Sequence, residues 1–380
     1  MKKSILVTAP LGAGGITALM LNVQQNLTKD KYRYDYMVYR NQKEVNEHRA
    51  IELGGRKLVA EEGHFKRLKP VNRLIKMFHI MQLCRREHVE MLHLNMDVSY
   101  EILNAIAAKA GGVKYIIFHS HNSKAETGRG YRYVVAEICK WIQPFVVDTY
   151  IGCSKVAAQY TFPKKVYESG NYLLLNNGID TEKFSYHPEI REKMRKEKQL
   201  EDRFVIGHVG RFTTQKNHMF LLDIFAKVHE KCPKAYLYLC GEGELMPQVK
   251  EKIKELNLED CVELAGVVHN MDECWQMMDV MLFPSLYEGL PIACVEAQCS
   301  GLPIVASNTI SREMKLTDIV KFISLKRSPA EWADVVLSYQ DYGPKRRSYK
   351  KELAQKGYSI QETTAQLERV YDTLFDSKKK

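Results

Sequence analysis

The sequence predicts an α/β protein with two doubly wound parallel sheets. Short apolar runs alternate with amphipathic stretches along almost the whole 380-residue chain. A polar, charge-dense segment at 183–203 interrupts the alternation, and a new strand-like run follows it. Apolar runs of strand length that alternate with helical periodicity are typical of parallel sheets covered by helices on both faces. At about 100–200 residues per domain, the length also fits two domains.

The first half contains six apolar runs that predict strands. They read SILVTA, YDYMVY, MLHLN, KYIIFH, TYIGCS and YLLLN. Between these runs, apolar residues recur with helical spacing, which predicts helices at 15–27, 71–87, 99–110 and 131–142.

The second half begins a new series at FVIGHVG. Five further strands are predicted at AYLYLCG, CVELAGV, VMLFPS, LPIVAS and KFISL. Helical periodicity predicts helices near 217–231, 246–257, 270–279, 291–300 and 329–340. Ligands of such sheets bind outside the carboxyl ends of the strands, so a cleft between two facing halves is the expected site.

These patterns divide the chain into 1–185, 186–357 and 358–380. The last segment predicts an amphipathic helix, because its apolar residues fall mostly at helical spacing, namely Ile360, Leu367, Val370, Tyr371 and Leu374. Two interpretations of this helix stay open. It crosses back to the first domain, or it caps the second.

Composition excludes several classes of protein. With 45% hydrophobic residues the chain can build large cores, and no apolar run reaches the roughly 20 residues that span a bilayer. The opening MKKSILVTAPLGAGGITALM resembles a signal peptide only faintly, because glycines break its short apolar part, and we expect a strand and a turn. Nine cysteines without a CxxC pair indicate reduced thiols in a cytoplasmic protein.

The positive charge is concentrated in the first half. Residues 1–180 hold 26 Lys/Arg and 16 Asp/Glu, an excess of 10, whereas the other 200 residues hold 30 of each. The stretch 64–88 joins basic residues to apolar ones, which predicts an amphipathic helix with two possible roles. It binds an anionic membrane surface, or it is buried on its sheet with its basic face in solvent. No motif that reads DNA or RNA is present, so nucleic acid is not an expected partner.

Two glutamates, Glu288 and Glu296, stand in SLYEGLPIACVEAQCSGLPIV. Pro291 suits the first turn of a helix, which Gly301 would end. The free N–H groups of a helix start favour a phosphate, and carboxylates at the start and further along could accept bonds from hydroxyls of a sugar and of a ribose. Taken singly, such glutamates are more often a turn residue and a surface helix residue.

Two cations, Arg211 and Lys216, follow the strand that ends near Val209. Cations at the carboxyl end of a strand can neutralise a diphosphate, and arginine can do so with two hydrogen bonds. Taken alone, this pair also fits a solvated loop.

The glycine loop PLGAGGITAL does not fit a dinucleotide site. Thr17 stands where GxGxxG requires glycine, and Asp35 begins strand two instead of closing it. His119 and His121 could form a metal pair, but further metal ligands and a DxD motif are not evident. We therefore expect no metal and a buried structural role for His119.

Several motifs together resemble one family. In order, GRFTTQKN, GEGE (241–244) and PSLYEGLP followed by a glutamate at 296 resemble the nucleotide-sugar half of the retaining glycosyltransferases of family four, which have the GT-B fold. The first half resembles that family's amino-terminal domain through its Gly-Gly turn, FHSHNS, GCSKV and NNGIDTEKF. The resemblance covers nearly the whole chain and implies two Rossmann-like domains facing a cleft.

The resemblance assigns roles to residues of the second half. Arg211 and Lys216 would bind the donor diphosphate and stabilise the leaving group. Glu296 matches the glutamate that binds the ribose, and Glu288 matches the one beside the donor sugar. Backbone groups of the turn at 289–291 would hold sugar or phosphate, and its members are Gly289, Leu290 and Pro291, the last of which only shapes the turn.

The resemblance also extends to the first half. Gly14 and Gly15 match a turn that approaches the phosphates and the acceptor, and His121 matches a histidine near the donor sugar. The implied reaction is metal-independent transfer from a nucleotide-sugar, most often a UDP-sugar, to a glycan or polyprenyl-diphosphate-linked acceptor. Such enzymes build capsules and exopolysaccharides in the cytoplasm or at the inner face of the plasma membrane. A nucleotide-sugar 2-epimerase and an inactive membrane-bound scaffold are the alternatives.

Overall fold

A computed structural model describes residues 2–12, 14–63, 69–96, 99–121 and 131–377. The chain forms two compact units. Unit 1 comprises 1–178 and 360–380, and unit 2 comprises 179–359. The first boundary lies seven residues before the predicted 185 and the second lies two residues after the predicted 357.

Unit 1 contains a seven-stranded sheet of order β3-β2-β1-β4-β5-β6-β7. Its paired strands are parallel, and buried apolar side chains fill its central strands, as is typical of a sheet with helices on both faces. The strands are β1 Lys3–Thr8, β2 Tyr32–Val38, β3 Arg56–Val59, β4 Met91–Met96, β5 Tyr115–Ser120, β6 Thr149–Gly152 and β7 Leu173–Leu174.

Seven helices of unit 1 precede its last strand. They are α1 Gly15–Asn26, α2 Glu47–Glu52, α3 Lys69–Arg86, α4 Ile102–Ala110, α5 Tyr131–Ile142, α6 Lys155–Thr161 and α7 Lys164–Ser169. Short 3-10 helices at Ser99–Glu101 and Gln143–Phe145 adjoin α4 and α5. None of the helices in the described ranges is long and apolar enough to cross a membrane.

Unit 2 contains a six-stranded sheet of order β10-β9-β8-β11-β12-β13, also with parallel pairs. Its strands are β8 Phe204–Val209, β9 Ala235–Cys240, β10 Val262–Gly266, β11 Val280–Phe283, β12 Ile304–Ser307 and β13 Val320–Ile323. Its helices are α8 Pro188–Glu197, α9 His218–Lys231, α10 Met246–Glu255, α11 Met271–Met277, α12 Ile292–Cys299, α13 Pro329–Leu337 and α14 Lys350–Gln355. The predicted fold class is confirmed.

The last helix, α15 (Ile360–Asp376), returns to unit 1. Leu367 and Tyr371 are fully buried on its apolar face, and it packs beside α1. On its polar face, Glu368 accepts from the N–H of Thr28 at 2.6 Å, and Asp372 accepts from Lys31 at 2.5 Å. Of the two interpretations left open by the sequence, the structure supports the return to the first domain.

The charge-dense segment at 183–203 contains α8, which the composition did not predict. Arg191 and Arg195 of α8 both pair with Asp279, just before β11. Arg195 is 8% exposed and also donates to backbone carbonyls, so charges that appeared solvated in the sequence hold the helix on unit 2.

The cysteines form no disulfide, and all nine lie in the described ranges. All except the partly exposed Cys232 are buried. Asp35 lies inside β2, where it binds Arg33, Arg56 and Ser4. It is therefore a structural carboxylate of unit 1.

Candidate active site

The predicted diphosphate and sugar residues of unit 2 follow two adjacent strands, β8 and β11. The strand order reverses between these two, because β9 and β10 lie on one side of β8 and β12 and β13 lie beyond β11. Loops that leave the carboxyl ends of parallel strands diverge at such a point and leave a crevice for a ligand.

The loop after β8 is folded against the loop after β11. The N–H of Leu286 donates to the carbonyl of Gln215 at 2.8 Å, and the Gln215 side chain donates to the carbonyl of Tyr287 at 3.0 Å. Asn217, with φ of 57°, donates to the carbonyl of Pro284 at 3.2 Å. These bonds on either side of Lys216 fix the position of its backbone relative to the second loop.

Two glycines allow this loop to approach its neighbours. A Cβ on Gly210 would lie 2.8 Å from the Lys216 side chain, and one on Gly241, which has φ of 129°, would lie 2.1 Å from the carbonyl oxygen of Gly210. Packing within unit 2 therefore requires Gly241, the first residue of the GEGE motif, whereas a side chain at Gly210 would displace that of Lys216.

Lys216 and Glu288 form an ion pair between the two loops. Nζ of Lys216 lies 2.7 Å from Oε1 of Glu288, and the two side chains are 15% and 10% exposed. The ammonium also lies 4.7 Å from the centre of the Phe283 ring, which favours a cation. An ammonium carries three hydrogens, so those that do not face Glu288 can still bind a ligand.

The turn at 289–291 leads into α12. Gly289 and Leu290 are buried, and Pro291 occupies the position before the first helical residue. The N–H groups at the start of α12 point away from its carbonyl ladder, as at every helix start, and carry partial positive charge. Gly301, with φ of 67°, follows the helix as predicted.

Glu296 lies in the fifth position of α12, where it is partly buried. Its Oε2 accepts from Nε1–H of Trp275 at 3.2 Å. Burial raises the pKa of Glu296 to about 7, against the opposing effect of this hydrogen bond. Burial raises the pKa of the Cys294 thiol, and Lys216, Glu288 and Glu296 are all close enough to act on it electrostatically. The three side chains therefore lie in one region of unit 2.

Trp275 belongs to α11, which Arg346 holds in place. The Arg346 guanidinium is 7% exposed and donates to the carbonyls of Trp275, Gln276, Met278 and Ser300 at 2.7–3.0 Å. Burial lowers the pKa of Arg346 to about 9.

Arg211 occupies a different environment from Lys216. Its side chain is exposed, and the described residues provide it with neither an ion pair nor a hydrogen bond. The structure thus brings Lys216, Glu288 and Glu296 into one region and leaves Arg211 at the rim of the same loop.

Gly14, Gly15 and His121 belong to unit 1. Gly14 precedes α1 with φ of −139°, and α1 begins at Gly15. A Cβ on Gly14 would lie 3.9 Å from Oγ1 of Thr17, an ordinary contact. Packing within unit 1 therefore does not require a glycine at this position.

His121 follows β5. Its Nε2 lies 2.7 Å from Oδ1 of Asn95, which lies within β4 and is paired in register with His119 of β5. Burial lowers the pKa of His121 to about 3, so the imidazole is neutral at physiological pH. His119 is fully buried, as the sequence predicted, and its ring centre is 4.0 Å from that of His121. Across the described ranges, no group of three His, Cys, Asp or Glu side chains has metal-binding geometry.

Sequence reasoning missed three residues that support the candidate site residues, Gln215 and Trp275 in unit 2 and Asn95 in unit 1. Gln215 stands inside GRFTTQKN, so its place in the motif was the available signal. Trp275 and Asn95 lie 21 and 26 residues from their partners Glu296 and His121, and no local pattern links them.

Comparison with known proteins places this arrangement in context. The family model "Glycosyl transferases group 1" matches residues 189–355. A putative glycosyltransferase, EpsF of Bacillus subtilis (strain 168), is 29% identical over 379 residues, covering 98% of this chain and 96% of that protein. The UDP-Gal:alpha-D-GlcNAc-diphosphoundecaprenol alpha-1,3-galactosyltransferase of Escherichia coli is 29% identical over 250 residues, covering 63% and 62% of the two chains.

Solved structures show the same fold. Anabaena HepE, crystallised with UDP and glucose, superposes with a TM-score of 0.78 at 16% identity, covering 98% of this chain and all of that one. The matched family domain lies within unit 2, which holds Lys216, Glu288 and Glu296. The chain is therefore a glycosyltransferase of the GT-B fold, and its residues 189–355 match the group 1 glycosyltransferases.

Proposed function

We propose that this protein is a retaining, metal-independent glycosyltransferase. It moves a sugar from a UDP-sugar to a glycan or lipid-linked acceptor in the synthesis of a surface polysaccharide. The observation that carries the proposal is the Lys216–Glu288 pair, held between two loops beside the start of α12. The complex of HepE with UDP and the lipid-linked acceptor named for the Escherichia coli relative support this choice of donor and acceptor.

In the proposed reaction, the leaving group is a nucleoside diphosphate. The hydroxyl oxygen of the acceptor forms a bond to the anomeric carbon as the bond from that carbon to the diphosphate oxygen breaks. The acceptor proton passes to the leaving phosphate, on the same face of the sugar. Lys216, Arg211 and the N–H groups that begin α12 stabilise the charge that develops on the diphosphate.

The carboxylates have separate roles in this proposal. Glu288 orients the Lys216 ammonium, and its free oxygens accept bonds from sugar hydroxyls. Glu296 accepts bonds from the ribose, and Trp275 fixes its direction. Gly289, Leu290 and Pro291 form the turn that brings the backbone to the ligand. Gly14 and Gly15 allow the backbone at the start of α1 to approach the substrate. Packing within unit 1 does not itself require a glycine at position 14, and a role at the substrate would explain one there.

Unit 1 also has a surface suited to an anionic membrane. Arg73 of α3 stacks on Tyr100 at 4.5 Å, and the 3-10 helix that holds Tyr100 packs against α5. Large apolar side chains are exposed on both helices and just beyond α5, namely Val71, Leu74, Phe78, Val134, Ile138, Trp141 and Phe145. Apolar side chains beside basic ones on a strongly basic half favour peripheral binding. Residues 64–68 of the predicted 64–88 surface lie outside the described residues.

The donor and the stereochemistry can be tested together. Purified protein is incubated with a panel of nucleotide-sugars in EDTA, and nucleotide release and thermal shift are followed. We expect stabilisation and slow release with a UDP-sugar, and NMR of the transferred product should show the anomeric configuration of the donor. Inversion would exclude the retaining mechanism, and activity that EDTA abolishes would exclude metal independence. No response to any nucleotide would favour the inactive scaffold.

A further inference from the structure

A chain of buried hydrogen bonds runs across the sheet of unit 1 from α15 to β5. The hydroxyls of Tyr34 and Tyr371 lie 2.6 Å apart, and the Tyr371 hydroxyl lies 2.8 Å from Nδ1 of His93. Nε2 of His93 lies 3.1 Å from Nδ1 of His119. Tyr34, His93 and His119 come from β2, β4 and β5, and α15 contributes Tyr371.

All four groups are uncharged. Their side chains are fully buried. Burial lowers the pKa of both imidazoles far below neutrality and raises the pKa of both phenols far above it. Each ring therefore carries one hydrogen on oxygen or nitrogen, and the two bonds of His93 must run in the same direction, because only one of its nitrogens can donate.

The direction follows from Tyr34. In the described ranges, Tyr371 is the only hydrogen-bond partner of the Tyr34 hydroxyl. If His119 donated to His93 and His93 donated to Tyr371, the hydroxyl hydrogen of Tyr34 or of Tyr371 would have no acceptor, and Nε2 of His119 would still be unpaired. That direction leaves one more unsatisfied buried group than the opposite one, which costs free energy. In the other direction, Tyr34 donates to Tyr371, Tyr371 donates to His93, and His93 donates to Nδ1 of His119. His119 then carries its hydrogen on Nε2.

This last N–H has no acceptor in the described ranges. Nε2 of His119 is buried and unpaired, and so is Nδ2 of Asn95. Both side chains are next to His121, because Asn95 binds it at 2.7 Å and the ring of His119 lies 4.0 Å from it. Two unpaired neutral donors therefore adjoin a predicted site residue at the carboxyl ends of β4 and β5.

We propose that Tyr371 is a positioning residue that, through His93, holds His119 as a hydrogen-bond donor to an uncharged oxygen of the sugar substrate. Neutral N–H donors suit a hydroxyl or an amide carbonyl oxygen and have no net charge to favour a phosphate. This assignment rests on the proposed glycosyl transfer, and it gives α15 a part in that reaction although the helix itself carries none of the predicted site residues.

The test compares two phenylalanine substitutions that face α15. Tyr371→Phe removes the link between Tyr34 and His93. Tyr32→Phe is the matched control, because Tyr32 is also buried and its hydroxyl binds Asp372 of α15 outside the chain of bonds. We expect Tyr371→Phe to lower kcat about tenfold, the effect of one lost hydrogen bond in the transition state, without weakening UDP binding to unit 2. Tyr32→Phe should keep kcat within about twofold, although it loses a comparable contact.

A second readout does not depend on activity. In protein labelled with ¹⁵N-histidine, and assigned with a His119→Gln variant, His119 should carry its hydrogen on Nε2. Tyr371→Phe should give a mixture of tautomers, and Tyr32→Phe should not. Equal kcat losses in the two variants, or an unchanged tautomer in Tyr371→Phe, would overturn the proposal. If the wild-type protein transferred no sugar but showed this tautomer change, the proposed function would fail while the positioning of His119 would stand.

Discussion

Lys216 and Glu288 follow different strands, 72 residues apart in the chain, yet their charged groups lie 2.7 Å apart. The Gln215 and Asn217 side chains bind the second loop on either side of the lysine, so the pair is fixed by the backbone. A preorganised cation needs little rearrangement when charge develops on a leaving group, which is the condition for electrostatic catalysis.

Substitution of this pair should abolish transfer and preserve the fold. We expect Lys216→Ala and Glu288→Gln each to lower kcat/KM by about 100-fold or more, since each removes a group placed for the transition state. The measurement is UDP release with the donor found in the panel, together with a thermal unfolding curve. Lys252→Ala is the control, because it breaks a 2.6 Å ion pair with Asp223 elsewhere in unit 2. Wild-type rates in both site variants would refute the assignment.

The pH dependence of stability should reveal Glu296. The pKa of its carboxyl is raised from 4.5 to about 7 in the folded protein, so folding favours the protonated form. Its contribution is present below about pH 4.5 and is lost as the pH rises through 7, which amounts to about 3 kcal/mol. Glu296→Gln should remove this pH-dependent contribution to stability, because an amide does not titrate. Denaturant unfolding should therefore show that the free energy of unfolding of the wild type falls relative to that of the variant between pH 5 and pH 8. If the free energies of the two proteins changed in parallel with pH, the burial of this carboxyl would be contradicted.

Nucleotide binding offers an independent check on Glu296. If its carboxylate accepts bonds from a ribose, UDP should bind more tightly at pH 8 than at pH 6, because the ionised form is the better acceptor. The titration of UDP itself is common to both proteins, so the difference between wild type and Glu296→Gln isolates the carboxyl. An identical pH dependence in the two proteins would exclude the ribose contact.

Arg346 should be irreplaceable by lysine. Its planar guanidinium satisfies four backbone carbonyls at once, whereas an ammonium on a flexible stem cannot reach them all. Arg346→Lys should lower the free energy of unfolding by about 2–4 kcal/mol, because the carbonyls of Trp275 and Ser300 lose their guanidinium donor. The carbonyls of Gln276 and Met278 also accept from Arg191 and would keep that bond. Arg347→Lys is the control, since Arg347 is largely exposed and pairs with Glu352, and it should change stability by less than about 0.5 kcal/mol. Equal effects would show that the carbonyl contacts are dispensable.

Membrane binding can be followed through one tryptophan. Trp275 and Trp332 are fully buried, whereas Trp141 is 71% exposed, so a change in fluorescence on vesicle binding reports Trp141. We expect a blue shift with vesicles that contain phosphatidylglycerol, weaker at high salt, and none with phosphatidylcholine alone. Leu74→Ser combined with Phe78→Ser should reduce co-sedimentation, while Val45→Ser, another exposed apolar residue of unit 1, should not. Equal binding to both lipid types would exclude charge-driven attachment.

Local patterns in the sequence were sufficient for most strands and helices of the two sheets. Apolar runs such as YIIFH and VMLF are buried on both faces, and their composition alone distinguishes them from helices. The four-residue strand β3 was missed because its sequence, RKLV, is half basic and lies at the sheet edge. Helix α8 was missed because its charges bind Asp279, which lies more than 80 residues away.

The site was predictable where its residues belong to short motifs. Lys216 and Glu288 each stand in such a motif, and the structure brings them together. The contacts of Glu296 with Trp275, and of His93 with Tyr371, join residues on separate elements. Nothing in helical or strand periodicity relates positions that meet only after the sheet and its helices have packed.

The return of α15 to unit 1 has a consequence for how the protein is made. A ribosome synthesises 1–178 first, then all of unit 2, and only afterwards α15. Until that helix emerges, the nascent first unit lacks the side chains of Leu367 and Tyr371 that fill its core, and it exposes apolar surface in their place. Unit 2 is contiguous in the chain and can fold before the first unit has received α15. The core of the first unit can therefore be completed only after the ribosome has synthesised unit 2.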